Sequence, residues 1–72
     1  MGSEEKTKLR TILNYWIEHN KEHSQEFREW SEKTRVSGDI VICDEILQAA
    51  QELDKVNDFL SRALKKLEET VP

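Results

Sequence analysis

His19 and His23 are the only two histidines of this 72-residue chain, and they stand four residues apart. On an α-helix that spacing places two imidazoles on one surface, one turn above the other. Glu22 and Glu26 supply carboxylates within a turn of each ring. Imidazole with carboxylate is a donor set that suits zinc, nickel, copper or iron. The expected chemistry is therefore metal ligation by His19 and His23, assisted by Glu22 or Glu26. Asn20, between the rings, would orient an imidazole from behind the ligands.

The same residues have structural readings. A buried Asn sets register between packed helices, and Asn20 can play that part. His23 can be a core histidine hydrogen-bonded to Asn20 or to a backbone carbonyl. The pair does not belong to an H-E-x-x-H motif, and the Glu-x-x-His repeat of di-iron bundles is absent. A protein-binding or small-molecule pocket is a further reading of the patch.

The elements that would position these side chains are legible in the spacing. Leu9, Leu13, Trp16, Asn20, His23, Phe27 and Trp30 recur in alternating steps of four and three. So do Cys43, Ile46, Ala50, Leu53, Asn57, Leu60, Leu64 and Leu67. Each series is the seam of a seven-residue repeat, which helices show when they pack side by side at a shallow angle. The one interior glycine, Gly38, interrupts the two series. The pattern predicts an all-α, antiparallel two-helix hairpin in a single domain spanning 1–72. Helix 1 covers about 4–34, a turn 35–38 and helix 2 about 39–69. Ser3 is expected to cap the first helix, with Glu4 and Glu5 in its first turn. Ser37, or alternatively Asp39, is expected to cap the second, with Val36 and Val41 as a hydrophobic staple.

In such a hairpin the numbers of facing positions sum to about 73. Trp16 then meets Asn57 and offers it an indole N–H, Asn20 meets Leu53, His23 meets Ala50, and Cys43 meets Trp30. Small Ala49 and Ala50 would leave space beside His23 for water or an ion. Ile12, Tyr15 and Ile17 widen the apolar face of helix 1. Ile42, Leu47, Ala49, Val56, Phe59 and Ala63 widen that of helix 2. One hairpin cannot cover so broad a face. The expectation is a homodimer forming a four-helix bundle. His19 lies near mid-length, so a two-fold axis across the bundle would bring four imidazoles together. A different protein partner is the competing reading.

Composition excludes several classes. The net charge is −4 with no basic cluster, which disfavours a nucleic-acid partner. No stretch is apolar and long enough to span a membrane. Cys43 is the lone cysteine, so no disulfide can form within the chain, and a reducing, cytoplasmic setting is expected. Cys43 reads as a small buried hydrophobe more than as a reactive thiol. No phosphate-binding loop, nucleophile elbow or Cys–His pair is present, so an enzyme or cofactor-binding bundle is the third-ranked reading.

The stretch Trp16-Ile17-Glu18-His19-Asn20-Lys21-Glu22-His23, followed by Glu26-Phe27-Arg28-Glu29-Trp30, resembles a family of bacterial and archaeal helical hairpins with a Trp-Ile-x-His-Asn-x-x-His core. The Ala-rich segment Leu47-Gln48-Ala49-Ala50-Gln51-Glu52-Leu53 is similar to that family's second helix. The family is associated with small nickel-binding maturation proteins of carbon monoxide dehydrogenase. The resemblance implies metal handling, with nickel or zinc at His19 and His23 and Asn20 in the same motif. The expected function is a small non-enzymatic, metal-binding accessory protein. The alternative is a helical interaction module without metal.

Overall fold

The computed structural model describes residues 1–70 as two helices, α1 (Ser3–Val36) and α2 (Ile40–Glu69). The final two residues of the expected 1–72 domain lie outside the described residues. The contacts Ile17–Asn57, Ser24–Ala50 and Ser31–Cys43 run in opposite orders along the two helices. The pair is therefore an antiparallel hairpin, 54 Å long and 14 × 11 Å in section.

Glycine ends α1. Gly38 has φ +88°, a left-handed conformation that costs an L side chain energy and glycine almost none. That turn lets the Asp39 N–H reach the Thr34 carbonyl and the Gly38 N–H reach the Arg35 carbonyl, both at 3.0 Å. This is the six-to-one and five-to-two pairing of a Schellman closure. Ser37 is consumed by it. Its hydroxyl donates to the Lys33 carbonyl at 2.7 Å, so Ser37 closes α1 rather than capping α2. Asp39, the alternative candidate, takes the N-cap position of α2, without a side-chain cap bond. Val36 and Val41 consequently flank no staple and are both exposed. At the other end the cap position belongs to Gly2, and Ser3 is already helical.

On α2 the seam is as its spacing predicts. Cys43, Ala50, Asn57 and Leu67 are buried, and Ile46, Leu53, Leu60 and Leu64 are half-buried. On α1 the seam is displaced. Leu13, Ile17, Ser24 and Ser31 are buried, with Asn20, Phe27 and Thr34 half-buried. Trp16 and Trp30, expected inside, are 45% and 53% exposed. The cause is the closeness of the helices. Ala50 is completely buried, and the Ser24 hydroxyl lies 3.5 Å from its carbonyl oxygen. The Ser31 hydroxyl donates to the Cys43 carbonyl at 3.1 Å and touches the Cys43 sulfur at 3.2 Å. Side chains that reach the opposing backbone leave no room for an indole. Trp16 therefore does not meet Asn57, and Cys43 faces Ser31 instead of Trp30.

The two broad faces of the hairpin differ. One carries a link between helices, in which Asp54 accepts from Ser24 at 2.7 Å and pairs with Arg28 at 2.6 Å. The other carries the displaced aromatics. Trp16, His23 and Trp30 each precede a seam residue of α1, and Ile42, Ala49 and Val56 each precede one of α2. In antiparallel helices, equivalent offsets from the seam fall on the same side. Arg28 and Asp54, each four residues beyond the seam pair Ser24 and Ala50, meet on the opposite side by the same rule.

Two outcomes are expected. Gly38→Ala should destabilise the hairpin by about 1 kcal/mol in denaturant unfolding, and Gly38→Asn by less. Nothing lies within 4 Å of an added Cβ, so the loss is one of backbone conformation alone. The second outcome concerns acid. The Ser24 hydroxyl, and then the Arg28 guanidinium, hold the Asp54 carboxyl below the usual carboxylate range. A depressed folded pKa contributes stability that is present above the unfolded value, about 4, and is lost as pH falls through the folded one. Asp54→Asn should flatten the pH dependence of the unfolding midpoint below about pH 4. At neutral pH it should cost no more than about 1 kcal/mol, because the pair is half-exposed.

Candidate metal centre

The middle of α1 is continuous helix, so its ring-bearing residues line up by spacing alone. Tyr15, His19, His23 and Phe27 follow one another at intervals of four, one ring per turn. Tyr15 stacks on His19 with centroids 5.3 Å apart and planes 17° from parallel. His23 meets His19 edge-on, at 4.4 Å and 88°, and tilts against Phe27 at 6.1 Å. These neighbours restrict both imidazoles, and the two Nε2 atoms come to 3.0 Å from each other. That is hydrogen-bond distance between neutral rings, one donating Nε2–H and the other offering its lone pair.

The separation also has a meaning for coordination. Two nitrogens each about 2.05 Å from one ion, at an angle of 90–110°, lie about 2.9–3.4 Å apart. The imidazoles already stand at that bite. To hold a metal at that bite, each ring would carry its proton on Nδ1 and turn its Nε2 lone pair toward the ion.

Glu22 and Glu26 are exposed, as His19 is, and Glu26 follows His19 by seven residues on the same stripe of α1. Among the described residues, no group of three His, Cys, Asp or Glu side chains could hold a metal ion. Among the described residues one chain therefore brings together two nitrogen donors without a third ligand beside them. His23 does not face Ala50, because Ser24 occupies that place and the predicted gap is filled. The rings sit on the apolar face, His19 exposed and His23 half-buried.

Asn20 turns away from the histidines. Its amide donates to Asn57 Oδ1 at 3.0 Å, and the Asn57 amide donates to the Ile17 carbonyl, also at 3.0 Å. Asn57 is buried, and this chain of bonds satisfies both its polar ends. The pairing fixes the register of the two helices at mid-length, the role a seam asparagine has in coiled coils. Asn57 is the partner that sequence reasoning missed for Asn20. Its own seam position, polar between Leu53 and Leu60, was the available signal.

The arrangement separates two jobs. The asparagines align the helices, and the alignment leaves the imidazoles free on the face. Replacing Asn57 by Ala should cost about 1–3 kcal/mol, because it removes one buried and one part-buried hydrogen bond. Asn20→Ala should cost less, since the bond from Asn57 to the Ile17 carbonyl survives. Paired thermal melts of the two variants measure the difference.

No helix among the described residues is long and apolar enough to cross a membrane. No curated protein and no solved structure matches the chain. Residues 9–67, which include both histidines and both asparagines, match the family model of a domain of unknown function, DUF8180, and the chain belongs to that family.

Proposed function

We propose that the protein is a small non-enzymatic accessory protein that binds a divalent transition metal through His19 and His23. The observation that carries this reading is the 3.0 Å separation of the two Nε2 atoms, which matches a chelating pair. Borderline-soft ions that favour imidazole, nickel or zinc, are the cargo this donor set selects. A reducing, cytoplasmic setting fits the buried, unpaired Cys43.

A second reading rests on a separate observation. Ile12, Trp16, Trp30, Ile42, Val56 and Phe59 are each more than 40% exposed. Contiguous apolar surface of that kind marks an interaction face. On this reading the chain is a homodimer in which two hairpins form a four-helix bundle.

Calorimetric titration with nickel or zinc at about pH 7.5, where imidazoles are mostly neutral, tests the metal reading. The expected result is saturable binding that His19→Ala and His23→Ala each weaken at least about tenfold, since either change breaks the chelate. Affinity equal in the parent and both variants would remove the histidines from the function.

A further inference from the structure

Two rows of side chains on the apolar face share one centre. On α1, Trp16, His23 and Trp30 are spaced by seven, and His23 is the middle member. On α2, Ile42, Ala49, Val56 and Ala63 are spaced by seven, with their midpoint between residues 52 and 53. Ser24 lies against Ala50 and Ile17 against Asn57, so that midpoint stands beside about residues 21–22 of α1. Both rows are thus centred within one helical turn of the two imidazoles.

A surface arranged this way fits a copy of itself. A two-fold axis across the bundle, lying between two stacked hairpins, reverses each row onto itself. Trp16 of one chain then lies over Trp30 of the other, and the α2 helices cross at small Ala49 and Val56. The face has the area for it. The half-exposed aromatic and aliphatic side chains amount to roughly 600 Å² of apolar surface, taking 150–250 Å² for a whole aromatic side chain. Together with the rim of a face 54 Å long and 14 Å wide, this approaches the roughly 800 Å² per partner of a standard interface. The opposite face carries the Arg28–Asp54 pair with Ile40 and Leu47 on the stripe of Asp54, and no aromatic row among the described residues.

The axis also answers the incompleteness of the metal pair. One chain offers two nitrogens, and no third donor among the described residues joins them. The symmetry that matches the apolar rows sets the chelating pairs of two chains against each other. Four imidazoles can complete a tetrahedral shell. We propose that this face is where two copies of the chain meet, and that a single divalent transition-metal ion is held on the two-fold axis by His19 and His23 of both chains. This inference rests on the metal-binding reading above and adds that the site is incomplete without the second copy.

The full chain should be titrated with zinc at about pH 7.5 while its mass is followed by sedimentation equilibrium over a concentration series. The expected result is one zinc per two chains and a dimer dissociation constant lowered at least about tenfold by zinc, because the ion binds the dimer in preference to the monomer. Val56→Glu lies outside the histidine cluster. It should produce monomers whose zinc affinity falls at least about tenfold although both histidines remain. Trp30→Glu is the second such variant, and circular dichroism verifies that each keeps its helices. One zinc per chain with unchanged assembly would overturn the shared site and leave the single-chain chelate standing. A chain that stays monomeric with and without zinc, or a dimer indifferent to zinc, would overturn it as well. Absence of any zinc binding by the parent would remove the metal reading together with this one.

Discussion

The hairpin depends on how closely its two backbones approach each other. Ser24 against Ala50 and Ser31 against Cys43 are contacts between small side chains and opposing main chain. The Ser31 hydroxyl donates to a carbonyl that α2 already uses, and the Ser24 hydroxyl donates to Asp54 while lying against the Ala50 carbonyl, so no buried side-chain polar atom among the described residues lacks a partner. Leu13, Ile17 and Leu67 supply much of the apolar burial. A seam so narrow has no volume for large rings. The tryptophans, tyrosine and histidines of α1 are displaced to one side as a direct consequence.

That displacement is what gathers exposed apolar side chains and both imidazoles on one face. Had Trp16 and Trp30 filled the seam, His23 would have been drawn in with them as a core residue. With the seam closed by serine, alanine and asparagine, the face collects Ile12, Trp16, Trp30, Ile42, Val56 and Phe59 around two convergent imidazoles. The opposite face carries the Ser24–Asp54–Arg28 link and no equivalent aromatic row. A small domain normally exposes little contiguous apolar surface unless something covers it. The two faces of the hairpin therefore differ in what they expose.

The asparagine pair links these levels. Asn57 is bonded on both sides, to Asn20 and to the Ile17 carbonyl. A shift of register would leave its buried amide without partners, at a cost of about 1–3 kcal/mol. Register in turn determines where α2 presents Ala49 and Val56 relative to His23. A buried polar contact therefore controls the layout of an exposed apolar face. Asn20 acts on the histidines through helix alignment, without contact to either ring.

The sequence by itself determined the elements. Two uninterrupted seven-residue seams separated by Gly38 require two long antiparallel helices, because few other structures bury a stripe of that period. The four-residue spacing of His19 and His23 likewise required that they share a helix surface. Which surface was left to the tertiary structure. A seam of alternating threes and fours can be drawn on α1 through Trp16, His23 and Trp30 or through Ile17, Ser24 and Ser31. Hydrophobicity favours the first, and the closeness permitted by Ala50 and Cys43 selects the second. The helix ends divide in the same way. Ser37 has the chemistry of a cap for α2, but the left-handed Gly38 draws it into the closure of α1. Side-chain type and spacing are local properties. The distance between two helices is set by every contact along them at once, and that distance decided which residues became core and which became surface.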